Sequence, residues 1–564
     1  MKNKELAAMF SEMADILEIT GEVIFKVNAY RKASRVLDEL LEDITRIHSE
    51  GKLHDLTGIG KAIAAKIEEY LATGDMRKFN EVKAMVPPSV VSLLEIQGLG
   101  PKTVGMAHKR LGVQSLDDLK RAIADGSLEK LPGMGAKKIG GIRRGIELFE
   151  SGHKRVFLYD AICIADDIIT QLKATFGNEI GRISPAGSTR RMRETVRDID
   201  ILVETDQGEA VVAAFTRLPL AKAVLAAGAT KGSIVTASGV QVDLRAVPTA
   251  SFGAAQQYFT GSKAHNVKLR GIARTHNFKI NEYGIYEGER KLGGESEEDI
   301  YRILGLTWIP SELREDRGEI ECAASGCLPQ LIDYGEIKGD LHVHSNKSDG
   351  HLSIARMSEA AVKLGYQYLA ICDHSKSAAY ARGLSPEALL DSIAEIKALN
   401  EKFSNFRILA GTEVDILSDG NLDYDDELLA QLDFVVASIH SAFTQNPTGR
   451  IIKAIENPHV DMIGHLSGRL LGKRDGYAVD YERIFEAARQ TNTLIEINAQ
   501  PMRFDLDDIH ARRAAESGIK LAIISDAHDA VQLQYMKTGI GIARRAWLTK
   551  QDVLNTAPVE QILS

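Results

Sequence analysis

Between residue 338 and the C-terminus, seven short apolar runs recur, and most of them end on a histidine or an acid. They are GDLHVHS, YLAICDHS, RILAGTEVDI, FVVASIHS, DMIGHLS, LIEINAQ and LAIISDAHD, beginning near 339, 368, 407, 434, 461, 494 and 521. Intervals of this size suit a strand, a helix and two loops. The segments between, such as SIARMSEAAVKLG, have helical spacing. Seven strand–helix units predict a parallel (β/α) barrel.

Nine of the fifteen histidines lie in 335–564. His342, His344, His374, His440, His465 and His528 stand at or just beyond the ends of the runs, and Asp349, Glu413 and Asp526 occupy comparable places. Barrel sites form at the C-terminal ends of strands, so these distant residues should converge. Neutral imidazole with carboxylate suits Zn²⁺, Mn²⁺ or Fe²⁺. A lone histidine ending a strand is ordinarily structural; nine ligand-type residues so placed predict a metal site. Lys376, Arg469, Arg474 and Arg503 lie near its mouth, either as contacts for a nucleic-acid backbone or as solvated surface charges.

The remaining half has a different composition. Residues 1–334 hold 45 Lys+Arg and 46 Asp+Glu, whereas 335–564 hold 24 and 32. The net charge of −9 therefore sits mostly with the barrel, and does not exclude a nucleic-acid partner for the rest. The 564 residues allow several domains. No apolar run approaches a membrane span, and the N-terminus does not read as a signal peptide. Four cysteines, Cys163, Cys322, Cys327 and Cys372, fit a reducing compartment. A cytoplasmic protein is expected.

Residues 1–85 read as short helices, with Leu6, Met9, Phe10, Met13, Ile16 and Leu17 at helical spacing and further helices over 28–49 and 60–73. One signal then appears three times: LTGIGKAIAAKI at 56–67, IQGLGPKTVGMA at 96–107 and LPGMGAKKIGGI at 131–142. Each is a Gly-x-Gly turn (Gly58/Gly60, Gly98/Gly100, Gly133/Gly135) leading into a basic helix. Such a turn brings backbone close to a ligand, and the helix N-terminus offers free N–H groups to a phosphate. A single copy would read as a glycine-capped hairpin of helices. Three copies, with Lys61, Lys102, Lys137 and Lys138, favour a grip on DNA backbone.

From about 155 the pattern becomes α/β. In RDIDILVE, Asp198 and Asp200 leave one face of a strand, and Asp243 in GVQVDLRAV can leave a neighbouring strand on the same face. Three converging carboxylates suit two Mg²⁺ or Mn²⁺ ions. By itself Asp-x-Asp is commonly an exposed strand face. GSTRRMRE at 187–194 adds a glycine turn, a hydroxyl and guanidiniums suited to triphosphate oxygens.

These motifs in combination resemble known families. GSTRRMRETVRDIDILV is similar to the palm signature of family X DNA polymerases, the polymerase-beta-like group, and YFTGSKAHNVKLRGIARTHNFKINEYGIY at 258–286 resembles their thumb. The resemblance implies a multidomain α+β and α/β chain. Its parts would be a helical lyase-like domain at 1–85, fingers with helix-hairpin-helix motifs at 86–152, a nucleotidyltransferase palm at 153–254 and an α/β thumb at 255–317. A linker at 318–337 would precede the barrel at 338–564. It further implies that Asp198, Asp200 and Asp243 hold catalytic metals, and that Gly187, Ser188 and Arg191 bind the triphosphate. Tyr258, Phe259 and Gly261 would pack on the sugar, Asn266 would meet the incoming base, and Arg270 the template. Arg197 stands where some relatives have glycine. Lys66 falls at the Schiff-base position of a 5′-deoxyribose phosphate lyase, near Lys26 and Tyr30, although Ala62 and Phe25 depart from that pattern. A solvated or phosphate-contacting lysine is the alternative.

The barrel resembles the PHP (polymerase-and-histidinol-phosphatase) family as a distorted (β/α)7 barrel, with all nine ligand positions of a trinuclear metal site filled. The two resemblances together imply a gap-filling repair polymerase with Mn²⁺-dependent 3′→5′ exonuclease or 3′-end processing activity. Its partners would be gapped or primer–template DNA and dNTPs, with a monovalent cation at the helix-hairpin-helix turns; it would act as a monomer in the bacterial nucleoid. The alternatives are a PHP phosphoesterase acting on small molecules, and a DNA-binding scaffold with inactive sites.

Overall fold

A computed structural model describes residues 2–38, 40, 42–96, 98–150 and 155–563, the side chains of a few residues in 136–150 excepted. The chain forms two compact units, Met1–Lys154 with Val235–Val240, and Arg155–Ile234 with Gln241–Ser564.

The first unit is helical. The stripe foreseen in its first helix, Lys2–Thr20, buries Leu6, Phe10, Met13, Ile16 and Leu17 in a core shared with Val27, Tyr30, Ile63 and Ile67. The helix expected over 28–49 is instead two, Ile24–Asp38 and Ile44–Ser49. The physical reason is Asp43, whose carboxylate accepts from the Thr45 amide at 2.8 Å and caps a new start. All three Gly-x-Gly turns share one construction. The first glycine is left-handed (φ +107°, +89° and +73° at Gly58, Gly98 and Gly133), and the second lies at the mouth of a helix, Lys61–Thr73, Pro101–Leu111 or Ala136–Glu150. Between them Ile59, Leu99 and Met134 are buried while Gly60, Gly100 and Gly135 are exposed. The apolar residue anchors each turn in the core and leaves its backbone at the surface.

Beyond residue 155, five strands form one sheet: β1 (Ile183–Pro185), β2 (Asp198–Glu204), β3 (Ala221–Ala227), β4 (Lys231–Thr236) and β5 (Gln241–Val247), in the order β1-β2-β5-β4-β3. β1 runs antiparallel to β2, and β2 parallel to β5. Helices Thr249–Thr260 and Lys263–Thr275 follow, then a three-stranded antiparallel sheet of β6 (Phe278–Asn281), β7 (Gly284–Glu287) and β8 (Arg290–Gly293). The stretch 318–337, read as a linker, is not extended. It carries helix Glu319–Ser325, whose Ile320 and Ala323 are buried in the same core as Leu269 and Ile285, and Leu331 bridges Thr549. The apolar spacing of Ile320 and Ala323 gives that helix a face to bury.

The seven barrel strands are present in sequence order and all parallel: β9 (Gly339–Val343), β10 (Tyr368–Ile371), β11 (Arg407–Asp415), β12 (Phe434–Ser438), β13 (Met462–Ile463), β14 (Leu494–Asn498) and β15 (Leu521–Ile524). A bridge between Val343 and Ala527 draws the last strand's end to the first. Residues on one strand face, including Leu341, Ala370, Leu409, Val436 and Ile524, form an inner core; Leu369, Ile371, Ile408 and Ile523 pack outward with the helices. Burial on both faces explains the unbroken apolar runs.

Candidate active sites

The barrel site is assembled at the strand ends. His342 lies on β9 at a register shift between Asp340 and Val343, a bulge that re-aims side chains. Asp526 (φ +52°) and His465 (φ +21°) have backbone conformations that L-residues rarely adopt, a strain that accumulates at functional sites. Three clusters able to hold metal ions result: His344, Asp349, His374 and His528; His342, His344 and Asp526; and His374, Glu413 and His440. His465 falls outside these clusters, but its Nε2 is 3.0 Å from Glu413 Oε1.

Glu413 is the hub. Its Oε2 lies 3.0 Å from His374 Nδ1 and 3.5 Å from His342 Nε2, and its Oε1 lies 3.2 Å from His440 Nε2. Burial alone would raise this carboxyl, but His440, His374 and His342 hold it well below the carboxylate range. Burial and the neighbouring His528 push His344 down to about 3. His342 Nε2, both His344 ring nitrogens, His374 Nδ1, Glu413 Oε1 and His465 Nδ1 are buried without a hydrogen-bond partner. Buried polar atoms are normally satisfied. A set of orphaned nitrogens and oxygens facing one another fits metal ligation.

The outer ring of this site was not foreseen. Glu496 accepts from His342 Nδ1 at 2.9 Å, from the His465 amide at 2.6 Å and from Asn498 at 2.9 Å. Asp415 accepts from His440 Nδ1 at 2.6 Å and from Ser377 at 2.5 Å. Asp373 accepts from Ser345 and Ser348, each hydroxyl at 2.6 Å. Glu496 and Asp415 turn the opposite nitrogens of His342 and His440 toward a metal, whereas Asp373 ties down the segment after β9 through the two hydroxyls. Their sequence signal was position: Asp373 precedes His374, Asp415 follows Glu413 by two, and Glu496 lies inside the sixth run.

The mouth arginines divide. Arg469 is engaged by internal partners: it donates to Glu194 at 2.5 Å, to the Arg503 carbonyl at 2.9 Å and to the Phe504 carbonyl. Arg474 donates to the Gly468 carbonyl and stacks 4.3 Å over Phe443, whereas Arg503 Nε stands 3.6 Å from Asp526. Tyr380, 70% exposed, holds its ring 6.1 Å from the rings of His374 and His440.

On the five-stranded sheet, Asp200 and Asp243 are direct partners across β2 and β5, with Asp198 one step along the same face. Burial first, then Asp198 and Asp243, raises the Asp200 carboxyl to about 7; burial and Asp243 raise Asp198. Asp243 accepts from Lys231 at 3.2 Å, from Gln241 at 3.0 Å and from Ser233. Gly187 (φ +59°) turns immediately above: a Cβ there would lie 2.4 Å from Asp200 Oδ2. Mutual repulsion among partly buried carboxylates fits divalent cations.

The neighbours expected to hold nucleotide are placed but engaged elsewhere. Ser188 is half-buried in the short helix Gly187–Arg190. Arg191 Nε donates to Glu315 at 3.1 Å and Nη1 to the Thr260 carbonyl. Tyr258 and Phe259 meet edge to face at 5.1 Å, with Arg245 4.4 Å over Phe259. Gly261 caps their helix at φ +72°, where a Cβ would meet Arg191 Nη1 at 3.1 Å. Asn266 is bound by Gln257 at 2.7 Å and donates to the Tyr258 carbonyl at 2.8 Å, and Arg270 is half-buried on the next helix. In the helical unit, Lys66 donates to the Ala62 carbonyl at 2.7 Å and lies 5.9 Å over the Tyr30 ring. Burial, then Lys78, lowers its pKa, while Phe25 is 85% exposed. The Lys137 side chain lies outside the described residues.

Comparison with known proteins covers the whole chain. A helix-hairpin-helix domain matches residues 1–76, a SAM-like helix-hairpin-helix tandem 90–147, the DNA polymerase beta thumb 255–315 and the PHP domain 340–500. The chain is 40% identical over 571 residues to the DNA polymerase/3′-5′ exonuclease PolX of Bacillus subtilis (strain 168), covering 100% of this chain and 99% of that protein. A probable phosphatase of Thermoanaerobacter sp. (strain X514) is 33% identical over 232 residues, 38% of this chain and 89% of that protein. A further probable phosphatase, of Caldanaerobacter subterraneus subsp. tengcongensis, is 29% identical over 233 residues, 39% of this chain and 87% of that protein. Among the described residues no helix is long and apolar enough to cross a membrane.

Proposed function

This chain belongs to the family X DNA polymerases that carry helix-hairpin-helix and PHP domains, and from that premise we propose that it fills short gaps during base excision or end-joining repair and trims the same 3′ ends at its barrel. The observation that carries this reading is the presence in one compact unit of two separate acidic centres, the Asp198–Asp200–Asp243 face and the Glu413-centred histidine mouth.

At the first centre, Asp198, Asp200 and Asp243 would hold Mg²⁺ or Mn²⁺; at the second, the nine His, Asp and Glu side chains would hold Zn²⁺, Mn²⁺ or Fe²⁺. Such ions, when bound, neutralise phosphate charge and make an attacking oxygen more acidic. The chain's own side chains do the rest. Ser188 and Arg191 orient the triphosphate, for which Arg191 must turn from Glu315. Gly187 admits the phosphates because no Cβ blocks Asp200. Tyr258, Phe259 and Gly261 form the floor for the sugar, Asn266 exchanges Gln257 for the base edge, and Arg270 faces the template. Template pairing, not the protein, selects the base, so the protein's work is positioning. The three exposed glycine turns take the DNA backbone. Lys66 is the amine for lyase chemistry: partial burial and the nearby Lys78 keep more of it neutral than a solvated lysine.

The probable phosphatases match stretches of 232 and 233 residues, 38% and 39% of the chain and about the length of the barrel, and we take a small phosphoester as the second reading for that site. One assay separates the two. Labelled, single-nucleotide-gapped duplex is incubated with Mn²⁺, with and without dNTPs, beside a small phosphomonoester. Extension with dNTPs and 3′ shortening without them is the expected result. Extension without shortening, with turnover of the monoester, would move the barrel to small molecules. Shortening without extension would remove the polymerase assignment.

A further inference from the structure

The triphosphate loop is not supported by its own domain alone. Arg545, at the end of the barrel helix Met536–Arg545, is 2% exposed. Its Nη1 donates to the Arg191 carbonyl at 2.7 Å and to Glu315 Oε1 at 3.0 Å, and its Nη2 donates to Asp508 at 2.8 Å. On the same helix a Cβ at Gly541 would lie 2.7 Å from Met192 Cγ, so the helix also packs on the loop's next residue. Arg191 and Arg545 thus meet at a single oxygen, Glu315 Oε1, with Arg193 Nη1 3.9 Å away.

This geometry has an electrostatic consequence. A buried carboxylate that loses its cation is left as an uncompensated charge, which is strongly unfavourable. If Glu315 had only Arg191, turning that guanidinium to a triphosphate would strand it. Arg545 cannot leave, because Asp508 and the Arg191 carbonyl hold it, so Glu315 stays paired whichever way Arg191 points. Burial alone would raise the Glu315 carboxyl; Arg545, ahead of Arg191 and Arg193, holds it down to about 2.

We propose that Arg545 of the barrel is a positioning residue for the polymerase site: it keeps Glu315 neutralised and thereby frees Arg191 for the incoming triphosphate. The proposal rests on the reading of Arg191 as a triphosphate ligand. It assigns part of nucleotide binding to the nuclease half of the chain.

The test uses the full chain and separates KM from kcat for dNTP on gapped duplex. Arg545→Met should raise KM about tenfold, the weight of one charge-assisted hydrogen bond, with kcat little changed. Exonuclease rates on single-stranded DNA should not move, since Arg545 lies outside the metal mouth. Arg545→Lys keeps a cation at Glu315 and should recover most of the loss. Adding Glu315→Gln to Arg545→Met should also restore KM, because no carboxylate then holds Arg191. An unchanged KM in Arg545→Met overturns the proposal, as does a loss that neither Lys nor the Glu315→Gln partner corrects. Arg191→Gln is the control on the underlying reading. Unless it raises KM by itself, the triphosphate assignment fails first; if it does while Arg545→Met does not, only the present inference fails.

Discussion

The two acidic centres are built in opposite ways. In the barrel, His342 and His440 each have one ring nitrogen fixed by a carboxylate, Glu496 and Asp415, so the other points into the mouth before any ion arrives. The palm face has no such ring. Asp243 is tied to Ser233, Lys231 and Gln241, and Asp200 is repelled by its neighbours. The barrel histidines are oriented by the fold itself, whereas the palm carboxylates repel one another, a repulsion that bound cations would relieve.

The contrast is broken most strongly at the ligands. Asp200→Ala should lower gap filling on the order of 10³-fold and leave the exonuclease within twofold, while Glu413→Ala should do the reverse and also reduce bound metal. Parallel extension and shortening assays with metal analysis check both; a variant that lost both activities would show the centres to be one.

Two buried acids test the contrast next, one inside the polymerase half and one at its junction with the barrel. Glu297, held by Arg190 at 2.7 Å and Arg314 at 2.6 Å, and Glu315 are each held down to about 2 from an ordinary 4.5, the arginines outweighing burial. A lowered folded pKa means stability fully present above about pH 4.5 and lost as pH falls toward 2, roughly 3 kcal/mol per carboxylate. Thermal unfolding from pH 7 to pH 3 should show a steep fall below 4.5 that Glu315→Gln makes shallower. Equal slopes for the two proteins would count against the pairing.

Next in size is the outer ring. Glu496→Gln should weaken metal retention at the barrel about 10–100-fold without changing dNTP KM, read by titration with a chelator and by metal content. Unaltered retention would mean that the ring is packing rather than support. The smallest effect belongs to the rim. Tyr380→Ala should raise the exonuclease KM for single-stranded DNA by a few-fold, the stacking of about one base, with Tyr380→Phe near wild type and a base-free phosphoester unaffected.

The sequence showed the two centres unequally, for a physical reason. Every barrel strand start lies within one residue of its expected place, because strands buried on both faces cannot hide a polar interruption. The nine candidate ligands were visible because histidine or acid stands at or just beyond the strand ends of six of the seven units. Glu496 and Asp415 were missed because, as single letters, they resemble ordinary strand acids; only the distance to an imidazole distinguishes them. The break at Asp43 was missed because apolar spacing continued through it, and a local cap overrode that spacing. The engagement of Arg191 by Glu315 and Arg545 lay beyond any motif, since the three are joined only by the packing of barrel on thumb.

That packing decides what can be cut. Arg544 pairs with Glu312 at 2.6 Å as Arg545 does with Glu315, so the barrel helix Met536–Arg545 supplies cations to two largely buried carboxylates upstream of residue 337. A polymerase truncated there would carry two acids prepared for partners it no longer has. Its weakness toward dNTP would then describe the cut, and the intact chain with single substitutions is the fairer object for dividing the two activities.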